Sequence, residues 1–574
     1  MFSYTGKQSI IFTRNFPAAF LSVILVCAVL NAEAPDPVRG RHGMVVSSDK
    51  LASEVGAAIL KKGGNAVDAA VGVGFALAVT FPYAGNIGGG GFMVIHLKDG
   101  RNTAIDFREK APESAYRDMF LDKDGNYLPE LSVSGTTSTG VPGSVAGLIY
   151  ALEKYGTMSL AEVIQPAIDL AEKGFILDYQ TVQSFNFSFT DFQKYPSSFR
   201  IFTKNGNGFA EGDTFKQPDL AFTLKQIKEK GRDGFYKGKI AGLIVRQVKE
   251  FNGMISLKDL EDYKPVEREP VTGTYRGYSV ISMPPPSSGG IALIQLLNIL
   301  ENFNFEKNDW GSSAYIFKLT EAMKHVYADR SVHLGDPDFY DVPRQWLISK
   351  EYGRQIFSKI DGTAVSSKEI LPGSPVRLHE SSETTHYSVY DSCGNAVSTT
   401  TTLNSAFGNK IVVEGAGFLL NNEMDDFSAK PGVPNQFGLL GNEANAVQPG
   451  KRMLSSMAPT IILKDDKPFL IVGSPGGSTI ITAVLQVIMN VIDFGMDIQE
   501  AISAPRMHHQ WYPDKIDYEN FGLSYDVRQA LISRGETIGD IRTLGCVEGI
   551  LIDSENNIIY GASDPRGNGR ACGY

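Results

Sequence analysis

At 574 residues the chain exceeds what one ordinary core requires, and a prior of about 150 residues per domain allows roughly four units. Its 43% apolar and 21% charged residues, with 59 glycines, exclude a disordered chain and describe a globular one rich in turns and close backbone approaches. A formal net charge of -10, with no Lys/Arg cluster to neutralise phosphates, excludes a nucleic-acid partner as the working expectation.

Taken in chain order, residues 1–34 come first and differ from the rest. Lys7 and Arg14 precede an apolar run from Phe16 to Leu30, and Ala32-Glu33-Ala34 supplies small residues for cleavage. This reads as an export signal cut near Ala32 or Ala34. The alternative, a membrane anchor, requires about 20 apolar residues, more than this run holds, so no stable span is expected. Val26 before Cys27 is too bulky for a lipoprotein site. Removal of the leader leaves Cys393, Cys546 and Cys572, an odd set without a CxxC pair. Neither a metal site nor a disulfide framework follows, although one Cys546 to Cys572 bridge stays open.

From Leu51 to Thr80 a helical period is interrupted at Gly63-Gly64, giving two helices with Asn65 opening the second. The second is apolar nearly all round and is expected to be buried. After Gly88 to Gly91, FMVIHL and TAIDF flank Lys98-Asp99-Gly100 and read as a β-hairpin ending at Arg108. Residues 145–260 are mainly amphipathic helix and offer no chemistry. Pro284 to Gly290 form a rigid turn before another helix, and the polar stretch 360–383 is the best linker candidate.

Beyond that linker HYSVY, AVSTTTTL, KIVV, GFLL, TIIL, PFLIVG and GILID read as strands, whereas residues 481–495 and 524–535 read as helices. Segregated runs of this kind favour an α+β layered fold. A five-residue turn from Asp391 to Asn395 pairs Tyr390 with Ala396 and, in that register, sets Thr384 opposite Thr402. Asn404 is expected on the Thr402 face, two residues along. By spacing alone a Thr-rich hairpin is ordinarily only a hairpin.

A series of motifs gives the hairpin a further meaning. GGNAVDAA (63–70), GNIGGGGF (85–92), DFREKAP (106–112), GVPG (140–143), PPSSGG (285–290), YADRS (327–331), LLNNEMDDFS (419–428), LSSMAPT (454–460), GSPGGS (473–478) and DPR (564–566) stand in one order around Glu383-Thr384-Thr385-His386-Tyr387-Ser388. Together they resemble the γ-glutamyltranspeptidases, members of the N-terminal nucleophile hydrolases. The resemblance runs from about residue 40 to Arg566.

It implies an αββα four-layer sandwich built from two processed subunits, 35–383 and 384–574, after autocatalytic cleavage between Glu383 and Thr384, in which Thr384 Oγ itself attacks the Glu383 carbonyl. Thr384 is then the nucleophile, steadied by Thr402, with Gly476 and Gly477 donating backbone N–H groups to the oxyanion. Arg108, Ser455 and Ser456 are implied to hold the donor's α-carboxylate, and Glu423, Asp426 and the Asn404 amide its α-ammonium. The implied donors are glutathione and other γ-glutamyl compounds, the acceptors water, amino acids or dipeptides, and the location periplasmic or secreted. No cofactor or metal is implied. Phe437 departs from the pattern, standing where relatives with a pocket lid carry a Tyr hydroxyl. Two rival readings are a related acylase of the cephalosporin or glutaryl type and an unprocessed, inactive binding protein.

Overall fold

Two antiparallel sheets, each of seven strands, carry the fold. The computed structural model describes residues 34–371, 384–430, 432–436 and 438–574; the leader up to Glu33, Glu383 and Phe437 lie outside them. The first sheet runs in the order Val38–Gly40, Ile558–Ser563, Glu548–Asp553, Lys467–Gly473, Thr460–Lys464, Tyr278–Ser282 and Val271–Tyr275. The second runs Arg570–Gly573, Met44–Ser47, Thr385–Tyr390, Ala396–Thr402, Gly90–His96, Asn102–Asp106 and Val266–Arg268. Strands from both sides of Thr384 therefore lie in each sheet.

Side-chain alternation explains why the sheets stack. Met44, Val46, Phe92 and Val94 pack with Ile461 and Val472 of the other sheet, whereas the intervening Val45, Met93 and Ile95 pack with the helix Ala66–Thr80. Strands that are apolar on both faces must be covered on both faces. Ala66–Thr80 is buried at every position, as its uniformly apolar sequence requires. Asn65 caps it by accepting from Val67 N and Asp68 N, and Gly63 at φ +94° ends the helix before it, Lys50–Lys61. On the far side Gly289–Leu300, Ser313–His333 and Thr479–Ile492 cover the first sheet. The layers are helix, sheet, sheet and helix, as the motifs imply.

One expectation fails locally, and one open alternative closes. KIVV and GFLL form no extended strand; they meet at a bridge between Val412 and Leu419, flanked by backbone bonds from Val413 N to the Phe418 carbonyl at 2.9 Å and from Leu420 N to the Ile411 carbonyl at 3.0 Å. Lys410, Gly415 and Gly417 all take positive φ, which cuts this pairing short, and the Ser198 hydroxyl bonds the Lys410 carbonyl and the Val412 N–H at 2.6 and 3.0 Å on its outer edge. Cys393, Cys546 and Cys572 are free thiols, so the Cys546 to Cys572 bridge is not formed. Among the described residues no helix is long and apolar enough to cross a membrane.

Candidate active site

The hairpin of the second sheet has the register read from its turn: Tyr390 pairs with Ala396, and the ladder continues to Thr385 opposite Thr401. Thr384 is the next residue, 7% exposed. The partner strand is held at its end by Asn86, whose amide donates to the Thr402 carbonyl at 2.8 Å and accepts from Gly89 N at 2.9 Å. A Cβ on Gly88 or Gly89 would lie 2.0 Å from the Leu419 carbonyl oxygen or 2.1 Å from that of Thr402. The glycine run is thus a requirement of close backbone approach.

Asn404 reaches the site differently from the strand expectation. The strand stops at Thr402, Asn404 turns at φ +76°, and its backbone N–H donates to Thr402 Oγ1 at 2.7 Å. Its side-chain amide donates to the Asn422 carbonyl at 2.9 Å, tying the hairpin to the NNEMDD segment. Asn421 joins the same frame by bonding the carbonyls of Gly88 and Gly140 at 2.8 and 2.9 Å. These bonds convert three separate motifs into one wall.

Arg108 lies fully buried beside that wall. Its guanidinium donates to Glu423 Oε1 and Asp426 Oδ2, and weakly to the carbonyls of Met453 and Leu454 at 3.3 and 3.4 Å. Glu109 Oε2 is 3.6 Å from it, and neither Glu109 oxygen has a hydrogen-bond partner. Burial opposes the Arg108 charge, but the three carboxylates outweigh it and hold the group protonated. Burial also pushes Glu109 up to about 7, and raises Glu423 and Asp426, with Arg108 acting the other way. The groups expected to hold a substrate's two charges are here paired with one another.

Ser455, Ser456, Asn404 and Thr402 line the same cavity, whose volume is about 20 Å³. That is room for about one water. Ser456 Oγ accepts from Arg330 at 3.0 Å, and Ser455 Oγ from Met457 N at 3.1 Å. Arg330, 4% exposed, also donates to Ser288 at 2.8 Å and is a second buried cation beside the site. Sequence reading gave it no role, although YADRS carried the signal.

Gly476 and Gly477 leave the end of the Lys467–Gly473 strand at φ +136° and +54°, ahead of the helix Thr479–Ile492. The Thr479 hydroxyl bonds the Gly476 carbonyl at 2.7 Å, and the Tyr327 hydroxyl bonds that of Ser478. His386, next to the hairpin start, bonds Thr400 and Ser388 at 2.9 and 3.1 Å; burial lowers its pKa to about 3, so it is neutral. It offers no charge to the site.

A larger cavity of about 520 Å³ opens on the other side, lined by Gly476 and by Phe81, Tyr83 and Phe187. Among the described residues, Thr384 is the one that lines both. A hydroxyl on that shared wall, with a glycine turn at positive φ beside it, can attack a carbonyl reaching across from either side.

The αββα sandwich is that of the N-terminal nucleophile hydrolases. It superposes on a cephalosporin acylase from Bacillus halodurans with a TM-score of 0.85 at 28% identity, covering 95% of this chain and 98% of that one. A Helicobacter pylori γ-glutamyltranspeptidase chain gives 0.56 at 49% identity over 60% of this chain and 97% of its own. In sequence, a glutathione hydrolase proenzyme of Escherichia coli (strain K12) is 52% identical over 92% of this chain and 91% of its own length. Residues 52–574 match the family described as γ-glutamyltranspeptidase. The chain belongs to the γ-glutamyltranspeptidase family and is an enzyme.

Proposed function

We propose that this enzyme takes glutathione and related γ-glutamyl compounds as donors, after cleavage between Glu383 and Thr384 has made Thr384 N-terminal. The observation that carries this is the position of Thr384 on the wall between the two cavities, next to Gly476 and across from Arg108, Glu423 and Asp426. A hydroxyl needs a base to attack. The α-amine freed by cleavage, with a reference pKa of about 7.7–8.0, supplies one near neutral pH, whereas the amide of an uncut chain does not.

In this scheme the donor's α-carboxylate takes over Arg108 while its α-ammonium takes over Glu423 and Asp426. Each existing ion pair is exchanged for one of the same sign pattern, so no buried charge is stranded. Ser455, Ser456 and the Asn404 amide complete the hydrogen bonds. Thr384 Oγ then adds to the γ-carbonyl, its proton passing to the α-amine, and the oxyanion lies against the N–H groups of Gly476 and Gly477. The α-amine returns the proton to the leaving amine, giving a γ-glutamyl ester, and Thr402 steadies Oγ. Water or an acceptor amine releases the acyl group.

The proposed subunits are 35–383 and 384–574. The first is 349 of 574 residues, about 61%, close to the 60% matched by the Helicobacter pylori chain. The leader directs export to the periplasm or beyond. Assay of purified protein for release of aniline from a γ-glutamyl anilide, with denaturing electrophoresis alongside, tests the whole reading. Two fragments and release are expected. Release from a glutaryl anilide but not from the γ-glutamyl one would instead establish the acylase reading, and a single silent chain the binding-protein reading.

A further inference from the structure

We propose that Arg330 is a positioning residue for the donor's α-carboxylate: it occupies an acceptor site of the Ser456 hydroxyl and so commits that hydroxyl to donating into the small cavity. This role rests on the proposed γ-glutamyl reading and deepens it. Position comes first. On the helix Ser313–His333, Tyr327 and Arg330 are three residues apart and share one face. The Tyr327 hydroxyl bonds the Ser478 carbonyl just after the glycine turn, and Arg330 reaches the Ser455-Ser456 segment. Arg330 Nε donates to Ser288 Oγ at 2.8 Å, and a terminal guanidinium nitrogen donates to Ser456 Oγ at 3.0 Å. Ser288 in turn donates to the Ser455 carbonyl, from its hydroxyl at 2.6 Å and from its backbone N–H at 2.7 Å. One planar fork therefore fixes both the backbone and a hydroxyl of this segment. The described residues lining the small cavity include Ser455 and Ser456 but not Arg330, so Arg330 acts through them.

Chemistry comes second. A serine hydroxyl carries one proton and two lone pairs, whereas a guanidinium has donors only. Ser456 Oγ therefore cannot give its proton back to Arg330. Ser455 Oγ likewise accepts, from Met457 N at 3.1 Å. Among the described residues neither hydroxyl donates to a protein acceptor, although both side chains are buried on the cavity wall. Two protons are thus left for a ligand that has acceptors, and a carboxylate has only acceptors.

The charge of Arg330 works in the same direction. Beside a cation the Ser456 O–H is polarised into a stronger donor, and an ammonium on that side of the cavity is disfavoured. The charge is felt inside the cavity: burial raises Asp426, and Arg330 adds to the opposing pull of Arg108. Arg108 and Arg330 thus mark one side for the carboxylate, while Glu423 and Asp426 mark the other for the ammonium.

The test uses the cleaved enzyme with two anilides, γ-glutamyl and 4-aminobutyryl, which differ only in the α-carboxylate. Release from the γ-glutamyl anilide by the unsubstituted enzyme checks the γ-glutamyl reading itself; its absence would sink that reading and the role of Arg330 with it. With release present, every further outcome concerns Arg330 alone. Arg330→Met is expected to raise KM for the γ-glutamyl anilide about 20-fold with kcat changed by less than about threefold. For the 4-aminobutyryl anilide kcat/KM is expected to stay within about twofold. In a Ser456→Ala background the same substitution is expected to add no more than about twofold, because the hydroxyl it acts through is gone. Arg330→Lys keeps the charge but not the fork, and is expected to recover part of the loss, leaving KM about fivefold raised. Should Arg330→Met stay one chain on denaturing electrophoresis, the same cycle is read with Arg330→Lys, whose fivefold effect is expected to vanish without the Ser456 hydroxyl. Equal losses for the two anilides would make Arg330 a structural residue only, and an undiminished loss in the Ser456→Ala background would mean that it does not act through Ser456. Either result overturns the proposal.

Discussion

The cavities that meet at Thr384 differ in volume, about 20 against about 520 Å³, and still more in how their walls are held. On the small side Arg108 and Glu423 are buried, Asp426 is 12% exposed, and both carboxylates are paired with Arg108, so a ligand must exchange partners with groups already in contact. Fully desolvated, hydrogen-bonded charge pairs tolerate little error, because removing one partner leaves the other buried and alone. On the large side the contacts are aromatic surfaces near water, each worth little and each replaceable. Selectivity for a group held on the small side is therefore expected to be steep and easily broken, and for one held on the large side shallow and graded.

The largest effect belongs to the group both sides share. Thr384→Ala is expected to give one uncut chain on denaturing electrophoresis and a loss of γ-glutamyl release of about 10⁴-fold or more. Normal cleavage of this variant would remove self-processing from the scheme. Next is the turn between the cavities. Gly476→Ala puts a Cβ 2.4 Å from Thr479 Oγ1 at a backbone angle of +136°, displacing the N–H groups. A fall in kcat of about 100- to 1000-fold is expected, read in single-turnover assays. An unchanged kcat would move the oxyanion elsewhere. On the small side alone, Arg108→Lys loses the planar fork and is expected to raise the donor KM about 100-fold. A donor analogue lacking the α-carboxylate should show no such change; equal losses for both donors would deny Arg108 the clamp role.

The same contrast explains what was legible in the sequence. The hairpin register could be read because strand period and a five-residue turn leave one pairing, and the two helices at Gly63 because glycine ends what an apolar period begins. Those signals are local. KIVV and GFLL have the same local signal as the true strands, but positive φ at Lys410, Gly415 and Gly417 cuts their pairing short, and Ser197 and Ser198, more than 200 residues earlier, take the outer backbone groups of KIVV. Asn404 was placed on the correct wall for an incomplete reason, since strand alternation ends at Thr402 and a turn brings it in. The motifs named Arg108, Glu423 and Asp426 together but could not say that they pair with each other when nothing is bound. That depends on burial, which spacing does not encode. Asn86 and Arg330 were visible only as letters in motifs, since each acts through a contact distant in sequence.

The smallest effect on turnover, and the sharpest on the electrostatics of the small cavity, concerns Glu109. Its carboxyl group is pushed from 4.5 up to about 7, first by burial and against the pull of Arg108. Between those values the folded chain keeps a proton that the unfolded chain has lost. Stability from this group is thus fully present below about pH 4.5, declines as pH rises, and levels off above about 7. The shift corresponds to roughly 3 kcal/mol. Glu109→Gln keeps the shape and cannot ionise, so it should flatten the decline. Urea unfolding at pH 5 and pH 8, in a Thr384→Ala background so that one chain unfolds, measures it. Glu536, also raised to about 7 mainly by burial, stays in both proteins and cancels from their difference. Equal pH slopes would mean that Glu109 is ionised in the folded chain, with all three carboxylates charged around Arg108. The small cavity would then hold a surplus of negative charge at neutral pH, and the partner exchange proposed for the donor would favour its ammonium over its carboxylate.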